Sequence, residues 1–344
     1  MTTEITGAAP TLPATELSPE ACDYAKASAA VSTRRNYAAQ LTLWATFCAE
    51  GGLTPFPADP IAAGDWLAQR AAAGQAVATL RVAVAAIRAG SSALGHQFDT
   101  QHSAIVYVLR GVAHTRSREQ RQVEPLRGVD VIGVLSKIGS QPIDRRDAAL
   151  LAVGYAFGLR RSELVGLDHQ RLGSGNGFLR VTSSALELML VRSKTGPGSV
   201  QAVAIPRDPN AKVMQVLEAW ITTADIKSGK ALFPSVSKAG VISPRRLHPN
   251  AIALILKKRV AHWFRALGDR PDVAEQKAES YAGHSLRVGF ATTAAEQGAD
   301  LRQIADVTRH KSLEMPRRYA QKADQLKPSA HNLAGVGLGN SSKP

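Results

Sequence analysis

Apolar residues recur at helical spacing from the thirties of this chain onward. Within TRRNYAAQLTLWATFCAE, residues 33–50, Tyr37, Leu41, Trp44 and Cys48 fall three or four apart. That spacing gives a helix one apolar face, with Ser32 as its N-cap. Gly51-Gly52 ends it. Three more helical patterns follow, at about 59–73 through DWLAQRAAA, 77–94 through VATLRVAVAAIRAGSSAL and 100–115 through TQHSAIVYVLRGVAHT. Together they predict a small all-α domain over 26–115. The first 25 residues are rich in Thr, Pro, Ala and Glu and show no apolar period, so 1–25 reads as a disordered tail.

The pattern then lapses. RSREQRQVEPLRG, residues 116–128, is polar, charged and carries a proline, which is the composition of a linker. A second domain is expected over 129–344. It opens with apolar helices at roughly 129–138 and 144–158, and FLRVTS, ELMLVRSK and QAVAIPR then read as short strands around the turn TGPG at 195–198. Helical periodicity returns at about 209–224, 249–267, 284–297 and 300–307. The predicted fold is mostly α: an all-α N-terminal domain followed by a mixed, mainly helical domain with a small antiparallel sheet.

Charge narrows the partners. Forty-two Lys and Arg against 28 Asp and Glu give a net charge of +14, which favours a polyanion, nucleic acid first, over a small acidic substrate. Residues 1–120 hold nine basic and nine acidic groups, so the excess lies in the second part. No apolar run approaches a membrane span and the N-terminus lacks a signal-peptide pattern, so a soluble, intracellular, cytoplasmic protein is expected. Cys22 and Cys48 have neither metal spacing nor a catalytic neighbourhood, and neither a disulfide nor a zinc site is expected.

Three short stretches could carry chemistry. In GLRRSELVGL, residues 158–167, Arg160 and Glu163 share a helix face, either as a solvated salt bridge or as a braced arginine. In GHSLRVGFATTAA, residues 283–295, His284 and Arg287 stand one turn apart at a helix start, where an anion is welcome. In TRHKSLEMPRRYA, residues 308–320, His310 and Tyr319 lie nine apart. Lys194 sits beside the predicted hairpin turn, where a lone lysine is ordinarily just solvated. The ordered set Arg160, Lys194, His284, Arg287, His310, Tyr319 carries more weight than any member.

GLRRSEL, a hairpin lysine, HSLR, and RH followed nine residues later by RRYA resemble the tyrosine recombinases of the phage integrase family, over nearly the whole chain. STRRNYAAQLTLWATFC resembles the helical core-binding (SAM-like) domain of that family. The resemblance implies a C-shaped two-domain clamp that cleaves and rejoins DNA through a covalent 3′-phosphotyrosine and a Holliday junction. It implies double-stranded DNA with an inverted-repeat site as partner, self-association as a dimer on one site and a tetramer in synapsis, and leaves room for an accessory DNA-bending or directionality factor.

It also assigns roles. Arg160 and Arg287 clamp the phosphate, to which the planar guanidinium fork is suited. Tyr319 is the nucleophile, His284 its base or hydrogen-bond partner, and Lys194 the acid for the leaving 5′-oxygen. His310 bonds a phosphate oxygen or packs near Tyr319, and Glu163 orients Arg160. No metal or other cofactor is expected. The chain departs from the family where Thr308-Arg309 replaces the frequent Leu-Gly before the second histidine, and Pro316 either begins the helix that bears Tyr319 or keeps it a loop.

Sequence reading is expected from LHPNAIALILKKRVAHWF, residues 247–264, with His248 and Asn250 at its leading end and Lys257, Lys258 and Arg259 on phosphates; the alternative is an amphipathic surface helix. Arg34, Arg35, Arg81 and Arg88 are similar candidates, and Arg116, Arg118 and Arg121 are expected to track the backbone. Beyond Tyr319 the chain reads as a short helix and a Gly-rich tail, either docked on a neighbour or frayed. Rival readings are a non-catalytic DNA-binding protein of the same fold, and a topoisomerase IB or telomere resolvase.

Overall fold

The structure, a computed structural model, describes residues 30–115, 123–191, 200–310 and 312–324, and residues 18, 20 and 24 besides. The chain divides into two compact units, Met1–Arg121 and Gln122–Pro344. No helix of the described residues is long and apolar enough to cross a membrane.

The first unit contains α1 (Val31–Glu50), α2 (Pro60–Ala72), α3 (Val77–Ala93) and α4 (Ser103–Thr115). Ser32 does not cap α1. The helix starts earlier, with the Arg34 amide donating to Ala30 O at 3.0 Å, so Ser32 lies inside the first turn. Asp59 does cap α2, accepting from the amides of Ile61 and Ala62, and Pro60 follows where no donor is needed. The core joins Trp44, Trp66, Leu67, Leu80, Ile87 and Ile105, with the two tryptophan rings edge-on at 5.3 Å.

Of the expected linker, 116–122 lies outside the described residues, and Arg116, Arg118 and Arg121 with it. Its remainder is not a free connector. Leu126 is fully buried, its amide donates to Ser285 O, and Gly128 already begins α5 (Gly128–Ser136). The apolar side chain in VEPLRG outweighs the charged composition around it.

The second unit continues with α6 (Pro142–Ala156) and a single-turn α7 (Arg161–Val165). A four-stranded sheet follows, β1 (Leu167–His169), β2 (Gly177–Val181), β3 (Ala185–Val191) and β4 (Val200–Pro206), in that spatial order. The β2–β3 and β3–β4 pairs are antiparallel, and β1 runs parallel to β2. Next come α8 (Ala211–Ala224), a second hairpin β5 (Pro234–Val236) and β6 (Ile242–Arg246), then α9 (Ala251–Ala266), α10 (Pro271–Ala278), α11 (Ser285–Glu296), α12 (Leu301–Thr308) and α13 (Glu314–Asp324). The fold is mostly helical with small sheets. Leu150, Leu151, Phe157, Leu188, Trp220, Phe233 and Leu256 meet in one core, where the Trp220 indole donates to Leu232 O at 2.8 Å.

Helix α11 lies so close to the stretch before α5 that a Cβ on Gly289 would overlap the Leu126 carbonyl. This approach fixes the depth of the helix that bears Arg287.

Arg259 corrects an expectation. It was expected on DNA phosphates as the end of a Lys-Lys-Arg run, but it is buried on the inner face of α9. Its guanidinium reaches Asp147 at 2.6 Å and Asp144 at 2.7 Å, and Arg146 shares Asp147. Helical period turns Arg259 inward with Leu256 and Val260, while Lys258 stays outside. Because removing one partner of a buried pair leaves charge uncompensated, Asp147→Ala is expected to destabilise the second unit by about 3–5 kcal/mol. Urea denaturation measures this; an unchanged midpoint would mean that Arg259 does not depend on Asp147.

Candidate active site

Gly158 holds φ +53, a left-handed conformation that glycine adopts without a side-chain penalty, and it turns the chain out of α6 toward Arg160. Arg160 is the N-cap of α7, and Glu163 returns to it twice. One carboxylate oxygen accepts from the Arg160 amide at 2.8 Å, the other from its Nη1 at 2.7 Å. The Arg160 side chain is 44% exposed, so Glu163 aims a guanidinium that remains accessible. Burial alone disfavours the charge on Glu163, but Arg309 and the bonds from Arg160 prevail and hold the carboxyl below its usual range.

Arg287 lies one turn into α11 and is fully buried. Its Nη1 donates to Gly158 O at 2.8 Å, whereas Nε and Nη2 have no partner among the described residues. Burial, then Arg160 and Arg309, push its pKa down to about 9 against the opposing pull of Glu163 and Tyr319. An anion supplied from outside would meet those unpaired donors.

His284 is the N-cap of α11 and is an exposed residue. Partial desolvation, then Arg287, Arg160 and Arg161, keep it below the ordinary imidazole range. His310 follows α12 directly and is pushed down to about 4 by burial first, then by Arg287, Arg160, His284 and Arg309. Its tautomer follows from a neighbour. The Thr308 hydroxyl spends its one proton on Ile304 O, so at 2.7 Å from His310 Nδ1 it can only accept. Neutral His310 therefore carries its proton on Nδ1 and a lone pair on Nε2.

Tyr319 sits on α13, its ring centroid 6.0 Å from that of His310. Pro316 is the third residue of this helix, within the first turn, where a missing N–H costs no intrahelical bond. Tyr319 is 7% exposed and its hydroxyl has no hydrogen-bond partner among the described residues. Burial raises its pKa, while Arg287, Arg160 and Arg318 pull the other way.

Arg160, Glu163, His284, Arg287, His310 and Tyr319 are thus gathered around one point from α7, α11, α12 and α13. Lys194 lies outside the described residues, between β3 and β4, whose ends pair Val191 with Val200. Sequence reasoning missed Thr308 and Arg309 as structural members of the site. Their departure from Leu-Gly was visible, but not what the side chains reach. Among the described residues no group of three His, Cys, Asp or Glu side chains stands together as a metal site.

The other candidates fall elsewhere. His248 and Asn250 are exposed ahead of α9, and Lys258 is exposed on it, while Lys257 is half-buried against Glu279. In the first unit Arg35, Arg81 and Arg88 are exposed and Arg34 is half-buried.

Residues 127–326 match the model of the phage integrase family. The chain is 28% identical over 314 residues to an integrase/recombinase xerD homolog of Selenomonas ruminantium, covering 89% of this chain and 86% of that one. It is 30% identical over 302 residues to the tyrosine recombinase XerC of Rhodospirillum centenum, covering 85% and 77%. Among solved structures, the site-specific recombinase XerH bound to a palindromic difH substrate superposes with a TM-score of 0.62 at 16% identity, over 92% of this chain and 83% of that one. A lambda integrase dimer bound to a core site gives 0.51 at 15% identity, over 85% and 89%. The chain belongs to the phage integrase family and is a site-specific recombinase of the tyrosine type.

Proposed function

We propose that Tyr319 cleaves and rejoins DNA through a covalent 3′-phosphotyrosine, in a tetramer that passes through a Holliday junction. The observation that carries this is the buried Tyr319 hydroxyl, which has no hydrogen-bond partner among the described residues, beside a fully buried Arg287 with two donor nitrogens likewise unpartnered there. Groups so placed are costly unless a ligand completes them. A phosphodiester does so: its non-bridging oxygens take the donors of Arg160 and Arg287, and its phosphorus faces the phenol.

In the proposed step the Tyr319 oxygen bonds to phosphorus as the bond to the 5′-oxygen breaks. The phenolic proton passes to a neutral imidazole, with His284 as the base, and the leaving oxygen is protonated by Lys194. Reversal of the same step reseals the strand without an external energy source, since the phosphotyrosine conserves the bond. The developing charge on phosphorus is met by guanidiniums already in place.

His310 serves the phosphate. With Nδ1 committed to Thr308, its Nε2 can donate only when the ring is an imidazolium, and an arriving phosphate favours that state. The exposed face at Asn250, Leu254 and Lys258, which recur one turn apart, is the proposed groove reader, with Asn250 on adenine and Leu254 against a thymine methyl. Arg34, Arg35, Arg81 and Arg88 hold the backbone from the first unit. The proposed partner is duplex DNA with an inverted-repeat site, one dimer on each site.

Two experiments test this reading. Incubation with nicked suicide duplexes drawn from DNA flanking the gene is expected to give a 3′-linked adduct on a denaturing gel. The adduct disappears in Tyr319→Phe, and its rate of formation falls about 10²–10³-fold in Arg287→Ala. Specific binding with no adduct would support the non-catalytic alternative, and site-independent relaxation of supercoils would support a topoisomerase. Secondly, ¹⁵N NMR of the DNA-free protein is expected to find His310 neutral at pH 7 as the Nδ1–H tautomer, titrating near 4. Added duplex should raise that pKa in Tyr319→Phe. A ring that stays neutral with DNA bound would make Nε2 an acceptor and defeat the phosphate-donor role.

A further inference from the structure

Arg309 stands in a position that argues against arginine twice over. As the C-cap of α12 it holds φ +56, a left-handed conformation disfavoured for a residue with a Cβ. Its side chain is also only 4% exposed, so a permanent charge is buried. Glycine would meet the backbone demand without either cost.

The side-chain contacts account for the arginine. Its guanidinium donates to Val307 O at 2.7 Å, to Phe157 O and Gly158 O at 3.3 Å each, and to Glu163 Oε2 at 2.9 Å. Glu163 holds Arg160 through its other oxygen, and Arg160 Nη2 in turn donates to the Arg309 carbonyl at 3.2 Å. Gly158 O also accepts from Arg287. The ring of contacts runs from Arg160 through Glu163, Arg309 and Gly158 to Arg287, and it ties the tip of α12 to both candidate phosphate ligands.

We propose that Arg309 is a positioning residue, bracing Arg160 through Glu163 and Arg287 through the Gly158 carbonyl so that both guanidiniums meet one phosphate together. This rests on the recombinase reading of the site. Arg309 itself is turned inward, toward carbonyls and a carboxylate, and does not touch DNA. Lysine cannot replace it, because one ammonium lacks the planar fork that reaches a carboxylate and carbonyls on different sides.

Arg309→Gly removes the side chain and leaves a residue at ease in the left-handed backbone, so the variant is expected to fold, as checked by circular dichroism. Single-turnover cleavage of a suicide duplex at saturating DNA should slow by up to roughly 10²-fold, as expected for misplaced clamping groups, with unchanged DNA affinity. Arg309→Lys should not restore the rate. Glu163→Gln combined with Arg309→Gly should be no slower than the slower single variant, since the two act through one brace.

A second readout does not need cleavage. The Glu163 carboxylate faces Arg160, Arg287 and Arg309, and without Arg309 its burial is opposed by less positive charge. Its ¹³C-carboxyl titration should therefore move upward in Arg309→Gly. A wild-type cleavage rate, multiplicative effects of the two substitutions, or an unmoved Glu163 titration would each overturn the proposal. If the unaltered protein forms no adduct at all, it is the phosphotyrosine reading that fails, and the Glu163 titration alone then decides whether Arg309 braces the site.

Discussion

Among the described residues, three guanidiniums converge where a single carboxylate answers them, and the rest of the site follows from that imbalance. Arg160, Arg287 and Arg309 surround Glu163, and Arg287 is completely withdrawn from water. Taking an ion out of water costs several kcal/mol after relaxation unless its charge and hydrogen-bonding groups are met. Backbone carbonyls of Phe157, Val307 and Gly158 meet part of the demand. They supply partial charges, not whole ones, so a net positive potential remains. Both histidines register it, each held toward neutrality by burial and by the same arginines.

The scaffold is built to hold that strained arrangement. Carbonyls can point at guanidiniums only if the backbone stops forming helical bonds there, and both places where it does so are left-handed. Gly158 takes that conformation freely; Arg309 takes it at an expected cost of about 1–3 kcal/mol. The close approach of Gly289 to Leu126 sets the depth of α11, and with it Arg287, against the stretch before α5. Away from the site, Asp147 and Asp144 neutralise Arg146 and Arg259, so α6 and α9 present a fixed wall. The contrast lies in the carboxylates: buried Arg146 and Arg259 are ion-paired to Asp147 and Asp144, whereas among the described residues buried Arg287 forms no ion pair.

Long periodic helices and the β2–β3–β4 meander were legible in the sequence because period and turn chemistry are local. Short elements were not. Three residues of β1, the β5–β6 hairpin and the eight-residue α10 contain too few positions to display a period. The ordered set of candidate residues was legible through its resemblance to the family, although no member is informative alone. Arg259 was misread because a run of three basic residues looks solvated, yet the spacing Ile252, Ile255, Leu256, Arg259, Val260 already placed it on the apolar face of α9. Arg309 could not be read, since its carboxylate partner lies 146 positions away and no local pattern announces a contact at that separation.

The same electrostatics bear on the nucleophile role proposed for Tyr319. Burial raises the Tyr319 pKa, and the clamp arginines lower it, without bringing it down to the ordinary value. A bound phosphate would cancel part of the clamp's charge and so weaken the force favouring phenolate at the moment when the proposed step calls for it. Positive charge alone therefore cannot activate the nucleophile; the proton must have somewhere to go. In the proposed step an imidazole already protonated could not take that proton, and burial and the arginines favour the neutral form of His284 in the DNA-free protein. In the proposed cycle the arginines act twice: in the DNA-free protein they help hold His284 toward neutrality, and with DNA bound they meet the charge that builds on phosphorus.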